Sequence, residues 1–413
     1  MRALVFYKSV PRFVLLKALG ARSRWLNASR LAPLGLRDIA PPPLPTERWV
    51  RIRPKLAGVC GSDLATLSAK GSTYLSPLIS LPFVMGHEVV GVVSEIGRGV
   101  TQARVGDRVV VHPALGCTAR GVTPRCDSCR DERDALCRNV TRGDVSAGIQ
   151  IGYCRDTGGG FGESLVAHET QVHVAPPEIE DRAAVLIEPF ACALHGALRA
   201  SVPTEGTALV LGCGAIGLLT IAALRATGCK ARIVAAAKYD HQGRAALALG
   251  ADEWLPSSGR LAARYARWAE ALSAQTFRPE LGKPAVVGGA DVTFDCVASS
   301  DSIDDGIRFT KSGGAFVLVG MPGVPRGVDW TPLWFKELTL HAAYAYGWEN
   351  TGEGRRSTFD LAIDLMRTWG PRLSPLVGRP FALEDYRAAI ATALHSGRSG
   401  VVKTVFSIDG ASA

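Results

Sequence analysis

"LVLGCGAIGLL", Leu209 to Leu219, decides the fold of this chain. An apolar run enters a turn carrying Gly212, Gly214 and Gly217 in the pattern G-x-G-x-x-G, and a second apolar run leaves it. The glycine spacing alone says little; between a strand and a helix it describes a phosphate-binding turn. Gly212 makes the tight turn, Gly214 lets the backbone approach a pyrophosphate, and Gly217 lets the helix pack on the sheet. The helix N-terminus, with Ala215 and Ile216, supplies free N–H groups and the positive end of a dipole for the phosphates.

Outward from this turn the chain alternates. "ARIVAAA", "ADVTFDCV", "GAFVLVG" and "ELTLHAAYAY" read as strands, with "GRAALALGA" and "SIDDGIRFTKSG" as helices between them. Such alternation implies an α/β fold with a doubly wound parallel sheet. "SSGRLAARYARWAEALSAQTF", from Ser257, reads as an extra surface helix. Upstream the pattern differs. "FVMGHEVVGVVSEIG", "GDRVVVHP", "GGFGESLVAH" and "QVHVAP" are short β-like runs of a small barrel. "MRALVF" reads as a first strand, and "APPPLP", Ala40 to Pro45, as an extended linker. Pro189 must start or kink the helix in "EDRAAVLIEPFACALHGALRA". The tail "EDYRAAIATALHSGRSGVVKTVFSI" reads as a helix and a strand returning to the first domain.

A length of 413 residues makes two domains the default. No apolar run reaches the roughly 18 residues of a membrane span. Pro11 and Lys17 interrupt any signal-peptide core, so a cytoplasmic protein is expected. The net charge of +9 comes without a nucleic-acid motif, and neither nucleic acid nor membrane is an expected partner. A positive field that draws in a phosphorylated cofactor fits the same charge. About 20 residues past the glycine turn an acid would bond the ribose 2′-OH of NAD. Here "ARIVAAAKYD" places Lys238, which attracts a 2′-phosphate, so NADP is favoured; Asp240, just beyond, argues for NAD.

Reactive side chains gather in three Gly- or Pro-flanked segments. "GVCGSDLATL" gives Cys60, Ser62 and Asp63; "MGHEVVGVV" gives His87 and Glu88; "LIEPFACALHGAL" gives Glu188. Alone, Cys60 reads as a small buried hydrophobe and His87 as a core histidine. Together, thiolate, imidazole and carboxylate suit Zn²⁺, and three protein ligands with an open position define a catalytic site. "CTARGVTPRCDSCRDERDALC" holds four of the ten cysteines, Cys117, Cys126, Cys129 and Cys137. Such clustering points to metal before disulfides.

In this order, "GVCGSD", "GHEVVGVV", the cysteine cluster, "IEPFACALHGA" and "GCGAIG" resemble the zinc-dependent medium-chain dehydrogenases (alcohol dehydrogenase-like). The polyol and threonine dehydrogenase branch is the nearest likeness, over about Met1 to Ile408. The resemblance implies a GroES-like β-barrel catalytic domain over 1–187 with a structural-zinc lobe at about 113–140. It implies a Rossmann dinucleotide-binding domain over 188–345 and a return to the first domain over 346–413. By matching motif, Cys60, His87 and Glu188 would hold a reactive zinc, with Glu88 able to approach it. Asp63 would orient the histidine, Ser62 would take the substrate proton, and Lys403 would join the cofactor-binding residues. Zinc would lower the pKa of an alcohol and hydride would pass to the nicotinamide. A homodimer or homotetramer is implied as well.

Two departures from the family stand out. Family members often carry His three residues after the position of Ser62, to pass the proton onward; here that residue is Ala65. The path beyond Ser62 would then run through ribose hydroxyls, water or Thr66. The family's lobe reads C-x2-C-x2-C-x7-C, and Thr123 stands where its first cysteine is expected. Either Cys117 crosses a longer loop to complete a four-thiolate zinc, or the lobe is one ligand short, or disulfides form. His112, His195 and His341 have no matched role and read as structural. The alternative to a zinc-dependent oxidoreductase of alcohols and carbonyls is a non-catalytic or zinc-independent NADP(H)-binding homologue.

Overall fold

The computed structural model describes residues 1–19, 25–352 and 354–408. The chain forms two compact units, Met1–Glu188 with Asn350–Ala413, and Pro189–Glu349.

The spine of the first unit is the strand Trp49–Gly58. Glu88–Ile96 pairs antiparallel along its length, Leu165–His168 pairs with its start, and Val405–Ser407 with its end. Arg108–Val111 and Val172–Val174 extend the sheet beyond Glu88–Ile96. The register slips between Arg51 and Ile52 and again between Pro54 and Leu56. A proline cannot donate to the ladder and sits where the pairing breaks, and each slip bends and twists the strand, so the sheet curls. Trp49, Ile52, Val93, Val109 and Leu165 fill the space it encloses. A smaller antiparallel sheet orders Leu34–Asp38, Arg2–Phe6 and Phe83–Val84. The curl matters for the site. Val405 and Glu88 both lie against Gly58, and Cys60 follows two residues later.

In the second unit six parallel strands run in the order Glu253–Pro256, Arg232–Ala237, Thr207–Leu211, Ala290–Asp295, Thr310–Leu318, Thr339–Ala342. This is the 3-2-1-4-5-6 order of a doubly wound dinucleotide-binding sheet. The strand entering the glycine turn is its central one, and Leu209, Val210 and Leu211 are buried, as strands covered on both faces require.

The structure corrects two local expectations. The helix expected on the surface after Ser257 spans Leu261–Ala271 and buries Tyr265 and Trp268 against the sheet core. "TKSG" ends no helix but opens the strand Thr310–Leu318. Val10–Leu19 is helical, with Pro11 as its second residue, where no intrahelical N–H bond is lost.

Candidate metal centres and dinucleotide turn

The chain leaves the spine strand at Cys60, which caps the helix Gly61–Leu67. The Cys60 N–H donates to Asp63 Oδ2 at 2.9 Å, which fixes the turn that presents the thiol. His87 lies between the strands Phe83–Val84 and Glu88–Ile96. One donor atom each from Cys60, His87 and Glu88 falls within 4.8 Å of the others. Asp63 Oδ1 faces His87 Nδ1 at 3.7 Å, and Ser62 Oγ lies 3.4 Å from His87 Nε2. The carboxylate therefore lies on the Nδ1 side of the ring, beyond hydrogen-bond reach, while Nε2 faces the Ser62 hydroxyl.

Charge is concentrated here. Asp63, His87, Glu88, Glu188 and Lys403 are all buried. Lys403 Nζ donates to Glu88 Oε1 at 2.5 Å. Burial works against the Lys403 ammonium, but Glu88 and Cys60 outweigh it and raise its pKa. Burial likewise opposes a charge on His87, yet Asp63, Cys60 and Glu188 push its pKa up to about 10. An excess of buried negative groups thus holds a proton on His87, and a divalent cation would displace that proton. The space is shaped for the pair: a Cβ on Gly58 would lie 2.0 Å from Glu88 Oε2 and 2.9 Å from Lys403 Cε.

Of the residues the sequence points to, Cys60, His87 and Glu88 form the compact donor group. Glu188, in the first turn of the helix Ile187–Ala197, is buried and acts on His87 and Lys403 through its charge. Lys403, expected among the cofactor-binding residues, is paired with Glu88. Tyr153 belongs to the site and carries no sequence signal. Its ring centroid is 6.0 Å from that of His87, and its hydroxyl is 3.1 Å from Thr66 Oγ1.

In the second cluster Cys117, Cys126, Cys129 and Cys137 bring their sulfurs within 4.8 Å of one another, so Cys117 does reach the group across the longer loop. All ten cysteines are free thiols. Four thiolates around zinc at about 2.3 Å would stand roughly 3.8 Å apart; the sulfurs of Cys117 and Cys137 are 3.6 Å apart. Each sulfur accepts an N–H: Cys129 from Cys117, Cys117 from Cys126 and Asn139 Nδ2, Cys126 from Arg138, and Cys137 from Asn139. Amide donors stabilise thiolates. The bond from Cys129 pulls Cys137 down to about 6, while the same bond drives Cys129 upward. The group cannot fully ionise without a cation, and its donor set fits zinc.

At the glycine turn, Gly212 has φ +87°, and a Cβ there would lie 2.2 Å from Val297 Cγ2. A Cβ on Gly217 would lie 1.8 Å from the Gly212 carbonyl oxygen, whereas one on Gly214 would meet nothing within 4 Å. The second glycine thus leaves open the space through which a pyrophosphate approaches. Helix Ala215–Ala226 starts directly after it. Lys238 is exposed just past the strand Arg232–Ala237, and Asp240 is already the first residue of the next helix.

Residues 46–177 match the profile of the alcohol dehydrogenase GroES-like domain, and residues 215–368 that of the zinc-binding dehydrogenase domain. The chain is 27% identical over 363 residues to L-idonate 5-dehydrogenase of Vitis vinifera, covering 87% of this chain and 88% of that one. It is 26% identical over 383 residues to sorbitol dehydrogenase of Arabidopsis thaliana, covering 93% of both. Among solved structures it is similar to 2R,3R-butanediol dehydrogenase from Bacillus subtilis, at 25% identity and TM-score 0.68, over 91% of this chain and 96% of that one.

Proposed function

Because the chain belongs to the zinc-dependent medium-chain dehydrogenases, we propose that it oxidises a secondary alcohol of a polyol-like molecule, or reduces the matching ketone, with NADP(H). The observation that carries this reading is the meeting of Cys60, His87 and Glu88 donor atoms within 4.8 Å, with the Ser62 hydroxyl beside them. Bound there, zinc would supply Lewis acidity that lowers the pKa of the substrate hydroxyl, and the nicotinamide would accept the hydride.

The chain's own residues divide the remaining work. Cys60 and His87 hold the metal. Glu188 would complete the ligand set, while Glu88, already beside Cys60 and His87, is held by Lys403 and can approach the metal. Asp63 fixes the His87 ring. Ser62 Oγ takes the substrate proton. The four-cysteine lobe would hold a second zinc, its four thiolates leaving no position for substrate. Gly212, Gly214, Ala215, Ile216 and Gly217 cradle the pyrophosphate, and Lys238 faces the 2′-phosphate. The protein works in the cytoplasm as a homodimer or homotetramer. The likeness to idonate and sorbitol dehydrogenases supports the polyol class.

The test is metal analysis with a screen of polyols and diols against NAD and NADP. About two zinc per chain and turnover favouring NADP are expected, with Lys238→Glu shifting the preference toward NAD by about tenfold. Protein without tightly bound metal, or wild-type turnover equal or better with NAD, would overturn the respective part.

A further inference from the structure

A proton that reaches Ser62 has to leave it, and Ala65 offers no imidazole for the next step. Ser62 and Thr66 stand four residues apart on the helix Gly61–Leu67, hence on one face. Tyr153 reaches that face from a distant loop. Its hydroxyl lies 3.1 Å from Thr66 Oγ1, and Ser62 is close enough to act on its ionisation. The ring is held from two sides, by Phe83 at a centroid distance of 5.2 Å and by His87 at 6.0 Å. Tyr153 is buried, whereas Ser62 and Thr66 are half-buried. A buried hydroxyl thus meets Thr66 on the helix face that also carries Ser62, and both of those hydroxyls have partial access to solvent.

We propose that Tyr153 and Thr66 carry the substrate's proton from Ser62 to water, as a hydroxyl relay in place of the absent histidine. The substrate O–H bond breaks and its proton passes to Ser62 Oγ. The serine's own proton passes to the Tyr153 oxygen, the tyrosine's to Thr66 Oγ1, and the threonine's to water. Each hydroxyl gains one proton as it gives one up, so none ends ionised. The electron pair of the broken C–H bond leaves as hydride to the nicotinamide. The relay rests on the dehydrogenase reading above.

Tyr153→Phe removes the bridging oxygen and keeps the ring packing. With it and with Thr66→Val, kcat for alcohol oxidation is expected to fall at least about tenfold. Zinc content and the KM for dinucleotide should stay at wild-type values, and the solvent deuterium isotope effect on kcat should rise. In metal-free protein labelled at tyrosine ζ-¹³C, the resonance lost in Tyr153→Phe should shift in both Ser62→Ala and Thr66→Val. A kcat for Tyr153→Phe within about twofold of wild type, or a tyrosine resonance indifferent to both neighbours, would overturn the relay. Absence of any turnover in the wild type would instead overturn the dehydrogenase reading, and the resonance shifts would still test the hydroxyl chain.

Discussion

In the lobe, four like donors come from the single stretch Cys117 to Cys137; at the Cys60 site, donors of three kinds come from the thiol of one segment and the adjacent imidazole and carboxylate of another. The lobe sulfurs each accept an N–H from a neighbouring residue, so the loop itself prepares them for a cation. The Cys60 site is prepared instead by charged side chains, Asp63 on His87 and Lys403 on Glu88. Four identical soft donors close a shell; a mixed and charged set leaves both a coordination position and proton carriers for chemistry. The lobe is dense in cysteine and inert in our account, while the reaction belongs to sparser residues.

The sharpest way to break this contrast is Cys60→Ser. Turnover should fall about a thousandfold, the equivalent of losing several kcal/mol of transition-state stabilisation, while the lobe keeps its zinc. Steady-state rates and metal content on the same preparation check both halves. Lys403→Met probes the charged preparation of the mixed site. It leaves Glu88 buried without its cation, and thermal or denaturant unfolding should show a loss of about 3–5 kcal/mol. Unchanged stability would mean that Lys403 has no part in preparing the site.

Cys117→Ser asks whether the lobe is scaffolding. One zinc per chain should be lost and stability should drop by on the order of 3 kcal/mol. The activity of the molecules that remain folded should stay within about twofold of wild type, because a closed four-thiolate shell offers substrate no position. A collapse of kcat at low temperature, with the fold intact by circular dichroism, would contradict the division of labour. A finer distinction lies in pH. Zinc needs neutral imidazole and ionised thiols, so both sites lose metal as pH falls. The lobe must shed protons from four thiols, of which Cys126 and Cys137 are pulled down while Cys117 and Cys129 are pushed up. The mixed site sheds fewer, one from His87, raised to about 10, and one from the Cys60 thiol. Zinc release from the lobe should therefore be the steeper function of pH, measurable by comparing wild type with Cys60→Ser.

What could be read in the sequence follows the same divide. The glycine turn and the strand–helix alternation are local patterns, and the parallel sheet centred on Thr207–Leu211 follows from them. The cysteine lobe is local too, although only folding shows Cys117 reaching its partners past Thr123. Cys60 and His87 are legible because each sits beside glycine in a short distinctive segment. The Lys403–Glu88 pair spans 315 residues and Tyr153–Thr66 spans 87, so no periodicity announces them. They arise because the strand Val405–Ser407 returns to the spine and because the Tyr153 ring packs on Phe83 and His87.

The central claim, one closed four-sulfur zinc and one open mixed zinc, is tested most directly by zinc X-ray absorption on the wild type and on Cys60→Ser. The account predicts two zinc per wild-type chain with sulfur and nitrogen or oxygen neighbours together. In Cys60→Ser it predicts that the signal narrows to a single zinc with four sulfurs at about 2.3 Å. A remaining zinc with nitrogen or oxygen in its shell, or a four-sulfur signal that vanishes with Cys60, would contradict it.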